Sequence, residues 1–244
     1  MTEWPIGVGR EVFKTLDSTN AEAIRSANAG ERGPTWIFSE EQTQGRARRG
    51  RTWVQGSGQF SATLLMRPEG GPDQAALRSF IAALALREAL VEVTDHNQFS
   101  LKWPNDVLLN DKKLAGILLE SGQGYLCVGI GVNLSITPDI PVAEQGAMQP
   151  ISLGTTIAPL DFLTPLAAAF QRWETQFIQF GFTPIRQEWL NHATRLGQQI
   201  TAKMVNRTEI GIFETVDETG AIVLKTQKGV LHLPAAEIFF ETEA

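Results

Sequence analysis

The sequence has a single cysteine, Cys127, in 244 residues. One cysteine excludes an intrachain disulfide and fits a reducing compartment. It lies in the apolar run YLCVGIGVNL, where buried filler is the expected role. No apolar stretch reaches membrane-spanning length, because the longest helical candidates carry Arg, Glu and Gln. The N-terminus, MTEWPIGVGREVF, lacks a basic start followed by an apolar run, so no signal peptide and a cytoplasmic location are expected. Basic residues are in deficit: 21 Lys and Arg against 27 Asp and Glu give a formal charge of −6. Such a chain has no general attraction for nucleic acid, although a local basic loop can still hold phosphate. With 43% hydrophobic and 20% charged residues, the composition is that of a soluble globular protein and not of a disordered chain. The length allows one good-sized core and a small second domain.

Residues 10–16 alternate as a strand. Asp17 and Ser18 then offer capping oxygens to a short helix over AEAIRSANAG, ended by Gly30. TWIFSEEQ and FSATLLM read as strands, with a loop over 43–58 between them. Leu77, Phe80, Ile81, Leu84 and Ala85 recur at helical spacing and predict one long amphipathic helix from Asp73 to Val93. SLKW and DVLLN follow as strands, interrupted by Pro104. LNDKKLAGILLES predicts a hairpin turning at Asn110 and Asp111, and YLCVGIGVNL is the next strand. Short strands joined by tight turns imply antiparallel pairing. A Pro-, Gly- and Thr-rich connection over 135–160 leads to a second amphipathic helix over 161–180, then to a shorter one around IRQEWLNHA. From Gly197, five short strands separated by NRTE, DETG and QKG predict a small barrel. The expected class is α+β. A mixed, largely antiparallel sheet packed by helices occupies residues 1–196, and a small SH3-like β-barrel occupies 197–244.

Four segments carry chemistry. GRARRGRTW, Gly45 to Trp53, holds four arginines among glycines. Guanidinium forks suit phosphate, glycine lets the backbone approach an anion, and Trp53 offers a stacking face. The same loop is equally readable as a solvated basic surface. KWPNDVLLNDKKLAG supplies Lys102, Asn105, Asp106 and Lys113, which suit carboxylate, phosphate or magnesium, or else form an ordinary surface hairpin. VGIGVN places Gly129 and Gly131 inside a buried strand, which marks either close approach of a ligand or tight packing on a helix. DSTN, followed by Gln42, offers hydroxyls and amides for a small polar head group, or simply a helix cap.

In this order the four segments closely resemble the biotin protein ligases over residues 10–135, and the terminal GAIVLKT and AAEI resemble that family's small C-terminal domain more loosely. The resemblance implies a role for each matching position. Ser18, Thr19, Asn20 and Gln42 surround the biotin head group. Gly45, Arg46, Ala47 and Arg48 belong to the biotinyl-adenylate loop. Gly116, Gly129 and Gly131 line the biotin pocket. Lys113 contacts the reacting carboxylate and phosphate, with Arg46 and Arg48 as its catalytic companions. Arg48, Trp53, Lys102, Asn105, Asp106 and Asn133 lie on the nucleotide side. The family usually has glycine where this chain has Ala47, and alanine disfavours positive φ.

The implied reaction joins biotin and ATP, with Mg²⁺, into biotinyl-5′-AMP and then acylates a lysine of a biotin carboxyl carrier protein. No metal ligands are assigned. Because the motifs begin by residue 17, no N-terminal DNA-binding domain and no specific DNA binding are expected. No membrane partner is expected, and a homodimer is compatible with the sequence. The alternatives are a lipoate or octanoate ligase of the same fold, and a non-enzymatic regulator or nucleic-acid binder. The polar DSTN and Gln42 argue against the first, and the acidic charge against the second.

Overall fold

A computed structural model describes residues 2–54, 56, 58–94, 98–138 and 148–240. Residues 139–147 of the expected 135–160 connection and residues 241–244 of the expected C-terminal domain lie outside the described residues.

The chain opens with β1 (Gly9–Leu16), α1 (Thr19–Asn28), β2 (Thr35–Gln42) and β3 (Phe60–Met66). Helices α2 (Pro72–Ala76) and α3 (Arg78–Glu92) follow, then β4 (Phe99–Lys102), β5 (Asp106–Leu109), β6 (Lys112–Gly122) and β7 (Tyr125–Val132). The seven strands form one sheet in the order β1-β2-β3-β7-β6-β5-β4. Only β1 and β2 run parallel, and the other neighbours are antiparallel. Asn110 and Asp111 turn the β5–β6 hairpin at φ 51° and 58°, the left-handed pair that a tight primed turn requires.

Period two divides the sheet into two faces. Trp36, Phe38, Phe60, Leu64, Val128 and Ile130 belong to the large core, together with residues of α3 and of α4 (Pro159–Phe180). Phe60 meets Phe162 of α4 edge to face, at 5.1 Å and 86°. The opposite face carries Ile37, Leu65 and Cys127, covered by Ala23 and Ala27 of α1. Cys127 is fully buried there, and burial pushes its thiol up to about 12. Ser18 caps α1, its side chain accepting from the Ala21 amide.

The expected single amphipathic helix from Asp73 to Val93 is two helices meeting at Leu77. Nor does α3 keep a solvent face along its first two and a half turns: every residue from Arg78 to Leu86 is buried. The cause is enclosure on all sides, by the sheet, by α4 and by α5 (Phe182–Asn191). The buried charge of Arg78 is answered by Glu174 of α4 at 2.7 Å, and Phe177 lies under its guanidinium.

Strands β8 (Gln199–Lys203), β9 (Thr208–Val216), β10 (Ile222–Thr226), β11 (Gly229–Leu233) and β12 (Glu237–Phe239) form a second, antiparallel sheet in the order β11-β10-β9-β8-β12. Five strands arise where five were expected. Among the described residues no pairing joins β11 to β12, so they form an antiparallel sheet without the closure of a barrel. Ile200, Phe213, Ile222 and Leu224 join the large core. Trp103 Nε1 donates to the Gly220 carbonyl at 2.9 Å, which fixes this sheet against the β4–β5 turn. No helix among the described residues is long and apolar enough to cross a membrane.

Candidate active site

On the face shared with α1, the strand register brings Ser61, Gly131, Gly116, Asp106 and Lys102 onto one rung across β3, β7, β6, β5 and β4. The two central positions have no side chain, so the rung is a bare floor with a hydroxyl at one side and charges at the other. A Cβ on Gly131 would fall 2.5 Å from Trp53 Cε2, and one on Gly116 would fall 3.5 Å from Trp53 Cζ3 and from Lys113 Nζ. The Trp53 indole therefore rests on this floor. On the next rung, Thr63 pairs with Gly129 and Gly129 with Leu118. There a Cβ on Gly129 would collide with Asn20 Oδ1. Of the two readings open for these glycines, Gly129 answers to packing on a helix and Gly131 to a loop side chain.

One end of the floor is lined by hydroxyls and amides, with charges only behind them and in pairs. Gln42 Oε1 accepts from Thr19 N at 2.7 Å and lies 3.1 Å from Thr19 Oγ1. Thr63 Oγ1 donates to Asn20 Oδ1 at 2.6 Å and lies 2.8 Å from Thr19 Oγ1. Asn20 Nδ2 donates to Glu120 Oε2 at 2.8 Å, and the other oxygen of Glu120 holds Arg46 at 3.0 Å. Ahead of this cluster, a two-pronged bond from Arg25 holds the Asp17 carboxyl at about 2, below its ordinary 3.8.

The other end is cationic. The arginine segment is a closed hairpin rather than an open loop. Trp53 N donates to Gly45 O at 3.0 Å and Ala47 N to Arg51 O at 2.8 Å. Gly45 is needed at this neck, since a Cβ there would collide with the Trp53 carbonyl. Arg49 and Gly50 make the tip at φ 58° and 71°. Ala47 adopts φ −133°, extended backbone in which alanine costs nothing, so its presence in place of glycine leaves the loop unstrained. Arg48 Nη1 donates to Asn105 Oδ1 at 2.9 Å. Arg49 and Arg51 both reach Glu237 on β12, at 2.6 and 2.8 Å. Burial opposes ionisation of Glu237, but the hydrogen bond and charge of Arg51 outweigh it and hold the carboxyl below its usual range.

Lys113 Nζ stands 2.7 Å from Asp106 Oδ1. The contact is an ion pair by distance without hydrogen-bond alignment, so this buried oxygen has no donor. Lys102 is 8% exposed, and burial lowers its pKa against the opposing pull of Asp106. Desolvation likewise lowers that of Arg48. Asn133 works from beneath: its Nδ2 donates to the Ile151 carbonyl at 3.1 Å, and its Oδ1 accepts from Gln59.

Together these groups enclose a cavity of about 530 Å³. Every residue singled out from the sequence lines it except Gly45, which shapes the neck. Sequence reasoning missed Ser61 and Glu237 in the lining, and Glu120 and Thr63 behind it. Nothing local marks them; Glu237 meets Arg49 across 188 residues. Besides the Asp106 oxygen, two polar atoms of the lining, Trp53 Nε1 and Ser61 Oγ, are buried without a partner, a condition that ordinarily costs about 1–3 kcal/mol each. Among the described residues no group of three or more His, Cys, Asp or Glu could hold a metal ion.

Residues 12–136, which contain the floor and both ends of the pocket, match the biotin/lipoate A/B protein ligase family. Residues 196–241 match the biotin protein ligase C-terminal domain. The biotin–[acetyl-CoA-carboxylase] ligase of Paracoccus denitrificans is 47% identical over 234 residues, covering 92% of this chain and 97% of that protein. The bifunctional ligase/repressor BirA of Bacillus subtilis is 29% identical over 233 residues, covering 91% of this chain and 71% of that protein. The structure of the Aquifex aeolicus biotin protein ligase in complex with biotin and ATP superposes with a TM-score of 0.81 at 25% identity, covering 94% of this chain and 97% of that one. A glycine-floored pocket inside the matched region, and a relative matched over nearly its whole length, lead to one conclusion: the chain belongs to the biotin protein ligase family.

Proposed function

We propose that the protein is an ATP-dependent biotin–protein ligase that forms biotinyl-5′-AMP and transfers biotin to a lysine of a biotin carboxyl carrier protein. One observation carries the reading. A single cavity runs from a cluster of hydroxyls and amides, across a side-chain-free floor, to a group of cations. That is the polarity of a ligand with a neutral polar head, an apolar middle and an acidic tail that must meet a polyphosphate. The ureido head sits against Ser18, Thr19, Asn20 and Gln42, and the acid chain crosses Gly131 and Gly116. The carboxylate and α-phosphate meet beside Lys113, Arg48 and Arg46, with Lys102, Asn105, Asp106 and Asn133 on the nucleotide side.

The carboxylate attacks the α-phosphate in line and pyrophosphate leaves. The carrier amine then attacks the mixed anhydride and AMP leaves. Neither step needs a covalent enzyme intermediate, so the work is positioning and charge stabilisation. Lys102 and Arg48, short of water, act more strongly on phosphate oxygens than exposed cations do. The hairpin from Gly45 to Trp53 roofs the adenylate and keeps water from the anhydride. Mg²⁺ bound to the ATP phosphates would supply charge neutralisation there. Asp106, the one carboxylate among the residues assigned to the nucleotide side, would be its protein ligand, with the remaining oxygens coming from the phosphates and water.

The division into a catalytic domain, 1–196, and a C-terminal domain, 197–244, is part of this proposal, with Glu237 as the second domain's contribution to the site. So are a cytoplasmic location, where ATP and the carrier are found, and the absence of sequence-specific DNA binding, which the charge of −6 supports. The test is exchange of labelled pyrophosphate into ATP. Biotin should support it and lipoate should not; exchange with lipoate alone, or none at all, would overturn the reading.

A further inference from the structure

We propose that Ser61 touches the ligand, and that its hydroxyl and the Trp53 indole N–H together recognise the ring sulfur of biotin. The inference rests on the ligase reading above and deepens it. Ser61 is 2% exposed, lines the cavity, and its Oγ has no hydrogen-bond partner. Trp53 Nε1 is buried and unpaired as well. Both border the same glycine. Ser61 is the ladder partner of Gly131, and Trp53 Nε1 lies 2.8 Å from where a Gly131 Cβ would be.

The neighbouring polar groups on this wall are satisfied. Thr63, two residues along β3, is bonded to Asn20, and Gln59, two residues before Ser61, is bonded to Asn133. A third unpaired atom of the lining, Asp106 Oδ1, faces the Lys113 ammonium at 2.7 Å, which leaves Ser61 Oγ and Trp53 Nε1, both beside Gly131, as the two with no charge or partner to answer them. Buried polar groups are paired almost without exception, so two orphans facing one cavity point to a ligand atom that pairs with them.

The chemistry of biotin says which atom. With its ureido group against Thr19 and Gln42 and its carboxylate at Lys113, the ligand lays its thiolane ring across Gly131. The sulfur lies on the side of the bicycle away from the ureido group, next to the carbon that bears the acid chain. A thioether accepts weakly and donates nothing, so it calls for donors only. A hydroxyl and an indole N–H are donors that a methylene group in the same place would leave unpaired. The indole now occupies the floor that the ring needs. On binding it lifts to become the ring's roof, and its N–H turns towards the sulfur.

The experiment is calorimetric titration of wild type and Ser61→Ala with biotin and with the analogue in which CH₂ replaces sulfur. Wild type should prefer biotin by about 3- to 5-fold, the scale of weak hydrogen bonds. Ser61→Ala should lose about 2-fold for biotin, its share of a preference that two donors make, and little for the analogue. It should also melt no lower than wild type, because it deletes a hydroxyl that has no partner. Trp53→Phe, which keeps a ring and removes the N–H, should show the same selective loss. Equal losses for both ligands, no loss at all, or a lowered melting temperature would assign Ser61 to packing and overturn the proposal. A wild-type protein that fails to bind biotin would instead remove the ligase reading itself.

Discussion

Lys113 is held from two sides. Asp106 stands 2.7 Å from its ammonium, and its stem lies over Gly116, where no side chain competes. A charge held this way needs little reorganisation when a phosphate arrives, which is where electrostatic catalysis gains most. Lys113→Met should slow single-turnover adenylate formation by roughly two to three orders of magnitude, the scale for one preorganised contact. A near wild-type rate would take Lys113 out of the mechanism. Asp17 makes a different residue-scale case. Its folded value, about 2, lies below the ordinary 3.8. Its stabilising contribution is therefore complete above that ordinary value and is lost as pH falls through about 2. The pair with Arg25 is well exposed, so solvent screening holds the effect to about 1 kcal/mol or less. Asp17→Asn should lower the melting temperature slightly at pH 7, and the loss should shrink as pH falls towards 2. An equal loss at both pH values would make the carboxylate charge irrelevant.

The hairpin from Gly45 to Trp53 is the element on which timing depends. Its sequence, four arginines among glycines, reads as a flexible cationic loop, and its charge and place in the site were legible from that. Its anchoring was not, because the hairpin that its own backbone bonds close is pinned at Arg49 and Arg51 by Glu237, on a strand of the other sheet. The same reason hid the nature of α3. Helical spacing gave the helix, but burial on every side depends on α4, α5 and the sheet, which no local window contains. By contrast, the β5–β6 turn at Asn110 and Asp111 was readable because its cause is local, whereas the β7 glycines stood out in the sequence but their causes, Asn20 and Trp53, lie far along the chain. Glu237→Gln removes the charge that holds Arg49 and Arg51. Both arginines are about half exposed, so global stability should barely change. The hairpin, however, should open more often. Radiolabelled biotinyl-AMP should dissociate several-fold faster, and albumin added to the mixture should acquire biotin. Unchanged retention would mean that the two ion pairs do not govern opening.

At the scale of the molecule, one core runs from the large sheet through α3 and α4 into the second sheet. The site draws on residues from Ser18 to Ile238, so ligand binding and global folding are coupled. Saturating biotin at a hundred times its Kd should add about 2.7 kcal/mol to unfolding, which is roughly 5–10 °C for a chain of this size. The second sheet should melt in the same transition. Separate transitions for the two sheets, with only the first moved by biotin, would show that they fold apart.

Cys127 faces α1 in the small cluster, sealed from solvent, with a thiol that ionises only near pH 12. At neutral pH maleimides and disulfide reagents should find nothing to react with, so the native protein offers a silent background for dyes and spin labels. A cysteine introduced at Arg49 in the hairpin tip, paired with a second near β12, would carry the only reactive thiols in the molecule. Opening and closing of the hairpin then becomes an optical signal that can be followed one turnover at a time.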